Sequence, residues 1–178
     1  MVEYKHILHC TDFSEPARAA FPVALDLAVR YGAALHILHV YQEPADVAEF
    51  EVSSNMRMDW TRVAHFIGTE REKKLEALRD EASASVRTVG FKMLRGKPQA
   101  EIARYAREVG ADLAVISSHG LSGLEHAIFG GTAEKIMREI PCAVLVVKHG
   151  KYEDASWKWQ GSGHAIIPLK GGSSCRIS

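Results

Sequence analysis

Cysteine is scarce in this chain of 178 residues, and the three cysteines show no regular spacing. Cys10, Cys142 and Cys175 form an odd-numbered set without a Cys-x-x-Cys pair, which argues against a disulfide framework. Two of the three lie in apolar, strand-like runs, where a thiol is usually a small buried hydrophobe. This cysteine usage predicts a reduced, cytoplasmic setting.

Long apolar runs and net charge are lacking as well. No run approaches the roughly 20 apolar residues that cross a bilayer. The first ten residues lack the charged start and apolar stretch of a signal peptide. Lys plus Arg (22) balances Asp plus Glu (22), so no global field attracts nucleic acid or an anionic membrane. We therefore expect neither nucleic acid nor a membrane among the partners.

The first 148 residues do contain a regular alternation of two hydrophobic periods. Short β-prone runs alternate with helical stretches in the order β-α-β-α-β-α-β-α-β, which predicts a parallel sheet covered by helices on both faces. Right-handed crossovers leave mainly doubly wound topologies for such a chain. The five predicted strands cover residues 4–11, 34–41, 86–95, 112–117 and 142–148.

Several predicted helices have recognisable ends. Ser14 stands before a Glu-Pro pair, as N-cap residues commonly do, and Gly32 is placed to end the same helix. A later helix is predicted over residues 59–84, where Glu70 and Lys74 have the favourable i,i+4 order for an ion pair. Two further helices are predicted, one opened by a proline at 98 and one over residues 132–139.

The character of the chain changes after residue 150. The segment that follows is rich in glycine and lacks helical periodicity. We predict one domain over residues 1–150 and a C-terminal extension over residues 151–178, partly disordered or packed on a partner subunit.

A glycine-rich loop follows the fourth predicted strand, with the sequence SSHGLSGLEHAIFGGT over residues 117–132. It leaves the carboxyl end of a strand and leads into a helix, so its backbone N–H groups and the helix dipole suit an anion such as phosphate. The alternative interpretation is that the four glycines only form turns and cap helices. Composition alone does not decide between the two.

This loop resembles the nucleotide-binding motif of the universal stress protein family, Gly-x2-Gly-x9-Gly-Ser/Thr. Gly120 and Gly130 match its second and third glycines, with nine residues between them. Ser117 stands in place of the first glycine, and Gly131 in place of the hydroxyl residue. The stretches HILHCTDFSEPA, ALHILHV and PCAVLVVK are similar to other parts of the family's sequence, so the resemblance covers about residues 3–148.

The resemblance implies an α/β fold with a five-stranded parallel sheet in the order 3-2-1-4-5, of the Rossmann-like type found in adenine nucleotide alpha hydrolases. Strand order reverses between the first and fourth strands, where such sheets bind ligands. The implied ligand is ATP, ADP or AMP, with or without magnesium, which phosphate oxygens would mostly hold. Carried over from ATP-binding relatives, the pocket residues are Cys10, Thr11, Asp12, Val40, Ile116, Ser117, His119, Gly120, Gly130, Gly131 and Thr132.

Asp12 and Val40 match the residues that contact ribose and adenine in those relatives, but alternatives stay open. Asp12 followed by a serine two residues later is also a common turn and N-cap arrangement. Ser117 adds a Cβ where a ligand would approach closely, whereas Thr132 could supply the hydroxyl that Gly131 lacks. Part of the family lacks the complete motif and binds no ATP.

The last predicted strand, from Cys142 to Lys148, is expected at an edge of the sheet. An apolar edge with unpaired backbone groups promotes aggregation unless it is covered. Family members commonly pair this strand across a two-fold axis, so the resemblance implies a homodimer formed through it.

The nine histidines raise the question of a metal site. His6 and His9, like His36 and His39, are three residues apart on predicted strands, so each pair points to opposite faces and cannot share a metal. We predict neutral histidines in the core and no metal ligands.

Catalytic motifs are also missing from the sequence. It has no Gly-x-Ser-x-Gly, no P-loop, no His-Glu-x-x-His and no Gly-x-Gly-x-x-Gly. The glycine loop holds no Lys or Arg to stabilise a transferring phosphoryl group, which predicts at most a slow ATPase with no assigned catalytic residue. Three functions follow: a non-catalytic, stress-linked dimer that binds an adenine nucleotide, a protein-interaction dimer that binds none, and an enzyme of adenylyl transfer.

Overall fold

The computed structural model describes residues 3–42, 60–118 and 131–148, together with residues 167–168 and 174–175. Strands and helices alternate through the first three ranges, as the hydrophobic periods predicted. The elements in chain order are β1 (His6–Cys10), α1 (Glu15–Tyr31), β2 (Ala34–Tyr41), α2 (Trp60–Ser83), β3 (Val89–Arg95), α3 (Pro98–Val109), β4 (Leu113–Ser117), α4 (Gly131–Glu139), β5 (Ala143–Val147), β6 (Ile167–Pro168) and β7 (Ser174–Cys175).

The first five strands form one parallel sheet in the order β3-β2-β1-β4-β5, which confirms the predicted fold class. The chain builds outward from β1 to β3 and then returns to add β4 and β5 on the other side. In the registers, His9 lies beside Val115 and Cys10 beside Leu38. The carboxyl ends of β1, β2 and β4 therefore meet at one end of the sheet, at the point where strand order reverses.

Each face of the sheet buries its own apolar cluster, because side chains alternate along every strand. One face carries Ile7, Leu35 and Ile37 against the alanine-rich side of α1 and against Leu75 of α2. The other face carries Leu8 and Leu38, among others, against α3 and α4. Both faces are covered by helices, which explains why the central strands are apolar throughout.

The capping residues of α1 were predicted correctly. Ser14 accepts a hydrogen bond from the backbone N–H of Ala17 at 3.3 Å, and Gly32 ends the helix with φ of 62° in the left-handed region. The third strand was predicted three residues too long at its start, since β3 begins at Val89. The element boundaries of α2 and α4 each differ from the prediction by one residue.

A long-range bond that the sequence did not reveal fixes the start of β1. The Asp112 carboxylate accepts hydrogen bonds from the backbone N–H groups of Lys5 at 2.6 Å and His6 at 2.9 Å. These bonds hold the pKa of Asp112 below its ordinary value. The contact joins positions 107 residues apart, so it aligns β1 with the start of β4.

β5 lies at the edge of the sheet and pairs with β4 alone among the described strands, as expected. β6 and β7 form a short antiparallel pair of their own within the C-terminal extension. The division into a domain and an extension stays a prediction, since most of residues 151–178 lies outside the described part. No helix among the described residues is long and apolar enough to span a membrane.

Candidate functional site

The loop between β1 and α1 is held by three side chains that accept hydrogen bonds from nearby backbone N–H groups. Thr11 Oγ1 accepts from Phe13 N at 3.1 Å, and Asp12 Oδ1 accepts from Ser14 N at 3.0 Å. Ser14 then caps α1. The turn-forming role considered for Asp12 is therefore present, and it fixes the carboxylate at the carboxyl end of β1.

Phe13 has an unusual backbone conformation in this loop, with φ of 63°. A bulky residue in the left-handed region is disfavoured by about 1–2 kcal/mol, so the surrounding contacts must hold it there. The Phe13 ring lies with its centroid 4.5 Å from that of His39, on the side of the sheet covered by α2. The loop is thus anchored to the neighbouring strand as well as to itself.

Across the strand-order reversal, β4 ends at Ser117, opposite Val147 of β5. The next residue, Ser118, is buried and donates its backbone N–H to the Val147 carbonyl at 2.9 Å. The first two residues of the predicted glycine loop therefore continue the strand direction and follow the sheet. This places Ser117 at the same end of the sheet as Thr11 and Asp12.

Three of the predicted site residues share the face of the sheet that packs against α3 and α4. Cys10 and Ile116 are buried there, and Val40 is partly buried in the same cluster. Together they form an apolar surface beneath the carboxyl ends of β1, β2 and β4. Burial raises the pKa of the Cys10 thiol far above its ordinary value, so this cysteine is an apolar wall and no nucleophile.

The remaining predicted site residues divide into two groups. Gly131 and Thr132 open α4 and are exposed. Apart from the chain neighbours and the backbone of the same helix, no heavy atom of the described residues lies within 4 Å of the position that a Cβ would take at Gly131. His119, Gly120 and Gly130 lie outside the described residues, so their predicted roles stay predictions. Among the described residues, space is open where the family motif has its hydroxyl side chain.

The structure adds a group of residues that sequence reasoning missed. Phe13, His39 and Tyr41 are neighbouring rings, named here the ring stack: His39 and Tyr41 are nearly parallel, and Phe13 is tilted by 40° against His39. Two cations of α2 lie over its ends: Lys74 Nζ is 5.5 Å from the Phe13 centroid, and the Arg71 guanidinium is 5.2 Å from the Tyr41 centroid. The sequence placed no cation near the site, because only the fold brings α2 beside the Asp12 loop.

The position of Lys74 corrects one prediction. Glu70 pairs with Lys73 at 2.9 Å, and Lys74 lies over the Phe13 ring, so the expected Glu70–Lys74 pair is wrong. The ion pair between Glu70 and Lys73 is exposed and contributes little to stability. Lys74 instead makes a cation–π contact with Phe13 next to the site.

The histidines have the predicted alternation of faces. His9 is fully buried against Phe21 of α1, with ring centroids 5.5 Å apart, whereas His6 lies on the other face. Burial lowers the pKa of His9 to about 4, which confirms a neutral core histidine. The main chain of Val115 partly opposes this shift, yet neither ring nitrogen of His9 reaches a hydrogen bond of ordinary geometry among the described residues.

One histidine contact was not predicted, because it joins two strands. His6 Nδ1 lies 3.2 Å from His36 Nε2, which fits one N–H donating to the other ring. Burial and the neighbouring His6 both lower the pKa of His36. The described residues hold no group of three or more His, Cys, Asp or Glu side chains arranged for a metal ion.

The model of the universal stress protein family matches residues 3–148, most of the chain. The chain belongs to the universal stress protein family. It is 31% identical over 153 residues to a universal stress protein of Methanocaldococcus jannaschii, covering 84% of this chain and 85% of the relative. A putative universal stress protein of Staphylococcus epidermidis is 35% identical over 150 residues, covering 83% and 86%.

Solved structures are similar to this universal stress protein in fold as well. The hypothetical protein MJ0577 superposes with a TM-score of 0.70 at 28% identity, covering 84% of this chain and 99% of that one. A universal stress protein solved in complex with cAMP gives a TM-score of 0.59 at 22% identity, covering 83% and 98%. The latter likeness concerns the fold alone.

Three features of the described residues are of the kinds that contact a nucleotide. Val40, partly buried near the end of β2, is an apolar side chain of the kind that packs against a base. Asp12 offers a carboxylate at the strand end, and carboxylates accept hydrogen bonds from ribose hydroxyls. The start of α4 offers backbone N–H groups and the positive end of a helix dipole to an anion.

Proposed function

We propose that this universal stress protein binds an adenine nucleotide, such as ATP, ADP or AMP, and holds it without rapid turnover. One observation carries the proposal: strand order reverses between β1 and β4, and Asp12, which follows β1, and Ser117, which ends β4, lie at the same end of the sheet. Open parallel sheets bind their ligands outside the carboxyl ends of strands at such a reversal. The nucleotide therefore lies over the apolar surface formed by Cys10, Val40 and Ile116.

The chemistry of the residues around this position supports binding more than reaction. The thiols of Cys10 and Cys142 are kept protonated, since burial raises the pKa of each. Two described cations beside the Asp12 loop, Lys74 and Arg71, lie over aromatic rings. A phosphoryl-transfer site needs cations directed at the phosphates, so a regulatory or storage role fits this arrangement better than an ATPase. The structural neighbour solved with cAMP holds an adenine nucleotide on a chain of the same fold.

Calorimetry with purified protein tests the proposal. ATP, ADP and AMP are titrated in separate experiments, and at least one is expected to bind with micromolar affinity. Mass spectrometry of the supernatant from heat-denatured protein identifies any nucleotide that copurifies. An absence of heat at millimolar nucleotide would overturn the proposal and favour the protein-interaction dimer. Release of ADP, AMP or pyrophosphate from bound ATP would favour an enzyme.

We also propose that the protein forms a homodimer through β5. This edge strand exposes Leu145 to 37% and leaves one side of its backbone unpaired among the described strands. An exposed, apolar edge strand is a template for pairing, and a two-fold axis satisfies both copies at once. The pairing would continue the sheet from one subunit into the other.

Light scattering with size-exclusion chromatography should give the mass of a dimer at micromolar concentration. Leu145→Lys should shift this mass towards that of a monomer, because it places a charge at the apolar edge. Val29→Lys serves as the matched control, since Val29 is an apolar residue 48% exposed on α1 and is not part of the edge strand. A monomeric wild-type protein, or equal effects of both variants, would contradict pairing through β5.

A further inference from the structure

His39 is a buried imidazole that joins three elements next to the proposed site. It lies in β2, and its Nδ1 is 2.8 Å from the carbonyl oxygen of Thr11 at the end of β1. A carbonyl oxygen can only accept, so Nδ1 carries the hydrogen and donates it. The Thr11 carbonyl belongs to the peptide group directly before Asp12. His39 therefore fixes the backbone from which the Asp12 side chain extends.

The other nitrogen of this ring has no hydrogen-bond partner in the part of the chain that the structure describes. His39 is 5% exposed, and its Nε2 is buried without a partner among the described residues. With the hydrogen on Nδ1, Nε2 presents a lone pair, so the neutral ring leaves one buried acceptor unmet, which carries a modest desolvation cost. A proton at Nε2 would be a buried, unpaired donor on a charged ring, which costs far more.

The ring stack links His39 to the strained turn on one side and to α2 on the other. Phe13, with its positive φ, packs against the His39 ring, and Lys74 lies over the Phe13 ring. Tyr41 lies nearly parallel to the His39 ring, at 12°, with Arg71 over it. The loop conformation that presents Asp12 is thus held by one ring and two helix cations.

We propose that His39 is a positioning residue for the loop formed by Thr11, Asp12, Phe13 and Ser14, and that it acts only as a neutral imidazole. This inference rests on the proposed function in so far as the loop holds a nucleotide. Acidification should then weaken nucleotide binding by releasing the loop. Release would also free Lys74 and Arg71 from the ring stack.

The charged groups that face His39 set the direction of this dependence. Burial lowers the pKa of His39, the hydrogen bond to Thr11 raises it, Arg71 and Lys74 lower it, and Asp12 raises it. The net pKa lies below the ordinary value of about 6.5. The held loop is therefore favoured above pH 6.5, and it weakens as the pH falls below that value.

Two substitutions at the same position separate the hydrogen bond from the titration. His39→Asn retains an amide N–H at about the place of Nδ1 and cannot be protonated in this range. His39→Leu retains apolar volume and removes the donor. His36→Asn is the matched control, since it removes another histidine of β2 whose pKa is lowered and which packs on the opposite face, against His6.

The affinity for ATP is measured by calorimetry from pH 5 to pH 8. At pH 7.5, His39→Leu should bind about tenfold more weakly than wild type, the usual effect of one lost hydrogen bond, and His39→Asn should lie within about threefold of wild type. Protonation of the nucleotide phosphate affects wild type and His39→Asn alike, so it cancels when the wild-type affinity is divided by that of His39→Asn. This ratio should fall towards pH 5. An unchanged ratio, or full affinity in His39→Leu, would overturn the proposal.

Hydrogen exchange of the backbone N–H groups of Phe13 and Ser14 tests the same inference without nucleotide. Exchange should be faster in His39→Leu than in wild type at pH 7.5, and His39→Asn and His36→Asn should resemble wild type. If wild type binds no nucleotide, the proposed function fails but this measurement still decides the role of His39. Equal exchange in all four proteins would overturn it.

Discussion

Replacing Asp12 by alanine is expected to weaken adenine nucleotide binding by about tenfold to a hundredfold. A hydrogen bond from a ribose hydroxyl to a carboxylate contributes about 1.5–3 kcal/mol when the site excludes water. The same substitution removes the bond from Ser14 N to Asp12 Oδ1, which costs about 1 kcal/mol of folding stability. Calorimetry gives the loss of affinity, and urea unfolding gives the loss of stability.

Two controls separate the role of Asp12 in the turn from its role in binding. Ser14→Ala removes the cap of α1, at about 1 kcal/mol, and leaves the Asp12 carboxylate in place. Asp12→Asn keeps an oxygen that can accept from Ser14 N but loses the charge. Affinity should fall in the order wild type, Asp12→Asn, Asp12→Ala, with Ser14→Ala close to wild type. If Ser14→Ala loses as much affinity as Asp12→Ala, Asp12 acts through the turn alone.

Lowering the pH from 7 to 4 should reduce the free energy of unfolding by about 3 kcal/mol through His9 alone. Its pKa is about 4 in the folded protein and about 6.5 in the unfolded chain. Between these two values the unfolded chain binds a proton that the folded protein excludes, so stability falls by about 1.4 kcal/mol per pH unit. Above pH 6.5 both states are neutral at His9, and its contribution does not change.

Urea unfolding of wild type and His9→Leu across this range isolates the effect of His9. Leucine has a similar size and no charge, so the variant should lose markedly less stability in acid than wild type does. The lowered pKa values of His36 and His39 reduce the stability in acid equally in both proteins, so their effect cancels in the comparison. Protonation of Asp112 reduces the stability only as the pH falls below its ordinary pKa of about 3.8, which lies outside most of this pH range. Parallel pH profiles for the two proteins would refute the role of His9.

Much of the candidate site was predictable because its features are local in sequence. Ser14 and Gly32 act within one turn of the helix ends that they cap, so short-range patterns predicted both. The alternation along β1 correctly separated His6 from His9, since a strand repeats every two residues. The positions of Asp12 and Ser117 followed from the order of strands, which right-handed crossovers restrict to few choices.

The ring stack could not be predicted for a different reason. Lys74 had an acceptable partner in Glu70 by helical spacing, yet it lies over Phe13 of a loop some 60 residues away in the chain. Exposed ion pairs within a helix contribute little, so a tertiary contact of similar strength decides where such a side chain lies. The contact between His6 and His36 likewise depends on the register of β1 against β2.

By itself, the sequence determined the family, the alternation of strands and helices, and the end of the sheet at which we propose that a nucleotide binds. These follow from periodicity, from caps and from motifs, which act over a few residues at a time. Only the tertiary structure decided that His39 holds the Thr11 carbonyl, that two cations of α2 cover the ring stack, and that Asp112 fixes the start of β1. Such contacts join residues far apart in the chain, and their partners are set by strand register and helix packing, which no local pattern specifies.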